Sequence, residues 1–167
     1  MKNKMLFLLA IMLVAACQRE EIYQTPRYSA VTEGFETTRT SLNEDNEVLW
    51  SKEDMIAIFE NKDMPSRYQV AESSVGQPSA EFFLMEEARS GTAAGADVAV
   101  YPYAESLTLA KMSTGAYRVR ELELPEVQKY AGLSFDSGAF PMVAVSESGS
   151  GQLAFKNICG ELRLYLT

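Results

Sequence analysis

The side chains of this sequence that could do chemistry are two cysteines, Cys17 and Cys159, and an excess of carboxylates, 23 acidic residues against 15 basic ones with no histidine. Without an imidazole, a serine or cysteine nucleophile lacks its common base, and the common zinc ligand sets lose a member. Two carboxylates held at a fixed separation across a cleft would suffice for glycoside hydrolysis, but no acid motif marks such a pair among the 23. No catalytic, cofactor-binding or metal-ligating residue is therefore assigned, and the chain is expected not to be an enzyme. Cys159 stands in Asn157-Ile158-Cys159-Gly160 with no basic cluster to activate it, so its expected role is that of a small buried hydrophobe. Cys17 has a different setting. It closes an apolar run and directly follows Ala15 and Ala16.

Lys2 and Lys4 form a positive start, and Met5 to Ala16 is an apolar run of 12 residues. As a helix it would span about 18 Å, short of a hydrocarbon core of roughly 30 Å, so it reads as an export signal rather than a membrane span. Leu13-Val14-Ala15-Ala16-Cys17 resembles a lipobox, which implies a signal peptide over 1–16 and lipidation of Cys17 as the mature amino terminus. Multiple acyl chains give stable anchoring at about 0.8 kcal/mol per buried methylene. Gln18-Arg19-Glu20-Glu21 resembles the acidic surface-export signal of lipoproteins in Gram-negative anaerobes, and reads equally well as a solvated tether. Residues 17–29 are assigned to a lipidated polar tether interrupted by Pro26.

Removal of 1–16 leaves 151 of the 167 residues, enough for one domain, and takes the net charge from −8 to −10 by loss of Lys2 and Lys4. That charge argues against nucleic acid as a partner. From Ala30 onward, short apolar stretches alternate with Gly, Pro, Ser and Asn at spacings of roughly ten residues, which predicts an all-β domain. Strands are expected at Val48–Trp50, Met55–Phe59, Tyr68–Val70, Val98–Tyr101, Tyr117–Leu124, Met142–Val145, Gln152–Ile158 and Leu162–Leu166. The nearly continuous runs Met55–Phe59 and Val98–Tyr101 suit strands covered on both faces. Ala80–Arg89 carries helix formers but also alternates, and a strand is preferred, with Phe82 and Leu84 on one face and Phe83 and Met85 on the other. Pro125–Tyr130 reads as one helical turn. Trp50 is expected to anchor the core, Ser51 to Asp54 to form a polar turn, Pro102 to end a strand or mark an edge, and Lys156-Asn157 to turn the chain.

Several phrases in order resemble the fimbrillin family of surface lipoproteins. They are Thr38-Arg39-Thr40-Ser41-Leu42; Val48-Leu49-Trp50-Ser51 with Asp54 and Met55–Phe59; Tyr101-Pro102-Tyr103; Leu124-Pro125 with Gln128 and Tyr130; Phe135, Pro141-Met142 and Val143-Ala144; and Phe155-Lys156-Asn157-Ile158-Cys159-Gly160. The resemblance covers about residues 35–167. It implies a transthyretin-like β-sandwich of about seven strands over 30–167, corresponding to the amino-terminal domain of the family. The second domain of such proteins is not found before Thr167, so the expectation includes a truncated or reduced subunit.

The resemblance also implies assembly by donor-strand addition. An arginine-specific protease removes the leader and an initial strand, and a strand of a neighbouring subunit fills the groove. Carried to this sequence, the processing residue is Arg39, with Arg27 and Arg19 as competitors. The implied partners are other fimbrial subunits through strand exchange, the outer membrane through the lipid anchor, and a host or bacterial surface ligand. The implied place is the cell surface or fimbrium, with a part in cell adhesion. The alternative is a glycan- or host-binding outer-membrane lipoprotein that uses Trp50, Tyr101, Tyr103, Tyr117 and Tyr130 as stacking surfaces on a β-sandwich face. Exposed aromatics in a groove would favour that alternative; burial would favour assembly.

Overall fold

In the computed structural model, residues 27–32, 49–60, 62–88, 96–127, 139–147 and 149–159 are described. Their strands are β1 (Tyr28–Thr32), β2 (Met55–Glu60), β3 (Ser66–Val70), β4 (Ser79–Glu86), β5 (Ala96–Tyr101), β6 (Thr108–Lys111), β7 (Tyr117–Arg120), β8 (Met142–Glu147) and β9 (Gln152–Asn157). The protein is all-β, as its apolar spacing predicts. The sheet is not a sandwich, however. Seven strands close into a barrel in the order β1-β4-β3-β2-β5-β8-β9, and β6 and β7 form a separate two-stranded hairpin.

What closes the sheet is β1. It pairs antiparallel with β4, with Ala30 opposite Ala80, and parallel with β9, with Ala30 opposite Leu153. Every other barrel pairing is antiparallel. Tyr28 and Ser29 lie in this strand rather than in the tether assigned to 17–29. The polar residues around them conceal a period of two that turns Tyr28 and Ala30 inward, both buried, and leaves Ser29 and Val31 exposed. With β1 in the sheet, the two edges that would have bounded an open layer are both paired, and closure removes them.

The interior shows why a barrel of this size can be solid. Ile56 and Ile58, Tyr68 and Val70, Ala80 and Phe82, Ala99 and Tyr101, Met142 and Ala144, and Leu153 and Phe155 form one buried cluster with Tyr28, Ala30 and Trp50. Alanines face each other twice across neighbouring strands, Ala30 with Ala80 and Ala99 with Ala144. These small pairs leave volume for the large rings. Trp50 meets Phe82, Tyr101 and Phe155 edge-on at centroid distances of 5.1, 5.7 and 5.9 Å. Trp50 is the core anchor its solitary apolar context suggests, but it is not in a strand. Its N–H donates to the Gln77 carbonyl, and its carbonyl accepts from Gly76 N–H, which ties the segment before β2 to the loop after β3.

The alternate residues of β2 and β5 have a second cover. Ala57, Phe59, Val98 and Val100 pack against Leu107 and Leu109, with Tyr117, Val119 and Val143 at the margin. The β6–β7 hairpin thus lies on the outer face of β2, β5 and β8, which explains the unbroken apolar runs. β6 was not foreseen, because Thr108-Leu109-Ala110-Lys111 is too short to show a period. The expected strand Tyr117–Leu124 ends at Arg120, and Glu121 follows with a positive φ of 60°.

Other expectations divide. The strand preferred within Ala80–Arg89 is β4, which runs over Ser79–Glu86 with Phe82 buried inward and Met85 exposed outward. β5 ends immediately before Pro102, and Ser51–Asp54 forms the polar turn, with Asp54 N–H donating to the Ser51 carbonyl. Lys156 and Asn157 do not turn the chain but end β9, because Phe155 beside them still faces the core. Cys159 is half-buried, not a core residue, since β9 has already ended. Pro125 to Val127 are irregular rather than helical, and the remainder of that expected turn, together with Leu162–Leu166, lies outside the described residues.

The turn into β9 is held by a close approach. Gly151 has φ +68°, and a Cβ there would stand 3.2 Å from the carbonyl oxygen of Arg27. Gly151→Ala is expected to lower stability by about 1–2 kcal/mol through left-handed strain and pressure on β1. Urea unfolding checks this, and an unchanged midpoint would contradict it.

Candidate functional site

The strand that closes the barrel also reaches its densest group of buried charge. Inward-facing residues of β2 are Ile56 and Ile58, and the same face continues to Glu60; on β5 the inward set is Asp97, Ala99 and Tyr101. The register places Glu60 directly opposite Asp97. Two like charges in that relation repel each other. Asp97 is also only 2% exposed, a position where an unpaired carboxylate is costly.

Their partners come from β1 and the residue before it, from β3 and from the turn between β8 and β9. The Tyr28 hydroxyl donates to Asp97 Oδ2 at 2.9 Å and lies 3.4 Å from Glu60 Oε1. A phenol has one proton to give, and the shorter contact assigns it to Asp97. The backbone N–H of Gly149, in the turn between β8 and β9, donates to the same Asp97 oxygen at 3.0 Å. Glu60 Oε1 accepts from the Tyr68 hydroxyl at 2.7 Å and pairs with Arg27 Nη2 at 3.2 Å. The rings of Tyr28 and Tyr68 meet edge-on at 5.2 Å, so each holds the other's hydroxyl over its acid. On β8, Ser146 faces Asp97 in the register, and its Oγ is buried without a hydrogen-bond partner among the described residues.

At the other end of β2, Asp54 accepts from the Tyr101 hydroxyl at 3.0 Å and from Ser51 N–H at 2.7 Å. Burial pushes the Asp54 carboxyl above its ordinary value, against the opposing pull of those two bonds. Trp50 Nε1, buried nearby in the core, has no partner among the described residues.

The residues nominated from the sequence fall mostly elsewhere. Cys17, Arg19 and Arg39 lie outside the described residues. Arg27, a competitor for processing, is half-exposed and committed to Glu60. Among the stacking candidates, Trp50 and Tyr101 are buried, Tyr103 and Tyr117 are half-buried, and Tyr130 is outside the described residues. A pocket of about 220 Å³ is lined by Met64, Pro65, Glu86, Glu87, Tyr103 and Glu105, but the Arg67 guanidinium sits over the Tyr103 ring at 5.7 Å. Among the described residues no group of three or more potential ligands could hold a metal ion.

Tyr28, Glu60 and Asp97 were missed as a site, although a signal was present. Asp97 begins an apolar run on the same parity as Ala99 and Tyr101, and Glu60 ends one on the parity of Ile56 and Ile58. A charge on the inward parity of a strand must find a partner. No protein-family model, curated protein or solved structure matches the chain, so the geometry stands by itself.

Chemically, this arrangement is a latch. Glu60 and Asp97 gather donors from β1, β3 and the β8–β9 turn, and so fix the register of the closing strand. Burial, then the hydrogen bond to Asp97 and the nearby carboxylates, push the Tyr28 phenol above its ordinary value; burial and Glu60 do the same to Tyr68. A raised folded-state value means that this stabilisation is full below the unfolded tyrosine value of about 10 and declines as the pH rises above it. Tyr28 and Tyr68 are therefore expected to ionise only as the barrel opens in alkali. Phenolate absorbance and far-ultraviolet circular dichroism should show a late phase coincident with loss of structure, its phenolate amplitude smaller by the two lost phenols in the Tyr28→Phe/Tyr68→Phe variant. Early ionisation of both phenols with the sheet intact would refute the latch.

Proposed function

We propose that this chain is a non-enzymatic, fimbrillin-like surface lipoprotein, anchored in the outer membrane through Cys17, that serves as a structural or accessory fimbrial subunit and contributes to cell adhesion by donor-strand addition. The observation that carries the reading is the place of β1. It is a strand of five residues lying between β4 and β9, and it precedes every other described element. Its covalent link to β2 runs through 33–48, which contains Arg39. A cut there separates β1 from the rest of the chain without touching another described strand.

The slot has the attributes strand addition requires. Its walls offer backbone partners, the Phe82 carbonyl that accepts from Arg27 N–H and the Gly151 carbonyl that accepts from Ser29 N–H. Its floor is the apolar interior that receives Tyr28 and Ala30. While β1 occupies it, the described barrel has no edge open for premature pairing. In this reading Glu60 and Asp97 hold a strand in register and perform no reaction, since their described partners come from the fold itself. The burial of Trp50 and Tyr101, and the guanidinium over Tyr103, favour assembly over glycan stacking.

Arginine-specific proteolysis of the folded chain should cut at Arg39 and leave the barrel intact with β1 seated but exchangeable. A labelled peptide of the β1 sequence should then enter the cut chain and not an uncut Arg39→Ala chain. Collapse of the fold on cleavage, or equal entry into both, would sink the reading. Cys17→Ala should abolish palmitate labelling and release the protein from membranes; labelling at the level of the unaltered chain would exclude lipid attachment at Cys17.

A further inference from the structure

We propose that the β1 slot selects its occupant by chemistry as well as by backbone pairing. The incoming strand of another polypeptide must place a tyrosine hydroxyl over Asp97, with a basic residue just before it and a small residue two positions after it. The inference rests on the strand-exchange reading above and names the partner's side chains.

Backbone hydrogen bonds to the edges of β4 and β9 are blind to sequence, so they cannot reject a wrong strand. The Asp97–Glu60 pair can. When β1 leaves, Asp97 loses the Tyr28 hydroxyl and keeps Gly149 N–H, while Glu60 loses Arg27 and keeps Tyr68. Two acids facing each other across β2 and β5 are then short of one donor and one cation. An apolar strand that covers them would bury that deficit, which acts against wrong partners. A strand with tyrosine and a preceding Arg or Lys restores both partners at once.

The small residue follows from the same face. Ala30 is 1% exposed and stands opposite Ala80 on one side and Leu153 on the other. A larger side chain there would overpack the barrel interior. The recognised pattern is thus Arg/Lys-Tyr-x-Ala/Gly. Ser29 and Val31 point outward and are exposed, so the intervening position is open to substitution.

The test uses the full chain, nicked within residues 33–48 at Arg39 or at an inserted protease site, and fluorescent peptides in excess. The first peptide carries Arg-Tyr-Ser-Ala-Val-Thr, the sequence of 27–32. The others replace its tyrosine by phenylalanine, its arginine by alanine, its first alanine by leucine, or its outward serine by threonine. Because the protein is the same in every arm, no variant can fail to fold. The phenylalanine peptide is expected to bind about tenfold or more weakly, as for loss of a hydrogen bond to a charged group. The leucine peptide should be captured poorly and the threonine peptide as well as the first. Equal capture of the tyrosine, phenylalanine and leucine peptides would overturn the recognition rule and leave strand exchange standing. If no peptide enters the nicked chain, strand exchange itself fails, and the rule falls with it.

Discussion

Closure of the sheet by one short strand is the constraint on which the remainder of this structure depends. β1 supplies the ladder partner of β4 and of β9 at once, and two of its five residues fill the interior. A barrel has no spare edge, so every inward residue is committed to a common volume, and the pairs of small alanines exist because large rings need that volume. The outer hairpin covers the second faces of β2 and β5 without entering the barrel.

The same strand supplies one of the donors that the buried acids require. Glu60 and Asp97 sit opposite each other on the inward face, a pairing that a strand designed only for stability would avoid. It is tolerated because tyrosine hydroxyls, an arginine and a backbone N–H converge on the two acids. Removing one partner of a buried charge leaves the other uncompensated, which is costly. Here that cost makes the seating of one strand conditional on that strand's side chains, as the proposed strand exchange would require.

Much of the architecture could be read along the chain. The period of two in Gln152–Asn157, the apolar runs at Met55–Phe59 and Val98–Tyr101, and the preference for a strand at Ala80–Arg89 all agree with the barrel, because local alternation is a consequence of the pleat. Trp50 could be recognised as core from its type but not as a loop residue, since its backbone partners, Gly76 and Gln77, are distant in sequence. The site was less legible. Tyr28 lay in a stretch that composition marks as tether, and the strand expected at Val98–Tyr101 began one residue after Asp97.

The sequence by itself determined that the domain is all-β and acidic, that it has no imidazole for catalysis, and which residues of each longer strand share a face. These properties follow from composition and from a period that needs only a few neighbouring residues to be visible. Only the tertiary structure decided that the sheet closes into a barrel, that a strand beginning at Tyr28 closes it, and that Glu60 and Asp97 meet across β2 and β5. Those facts are pairings between segments far apart in the chain. Nothing in a local pattern states which edge a strand will join or which buried acid its hydroxyl will reach.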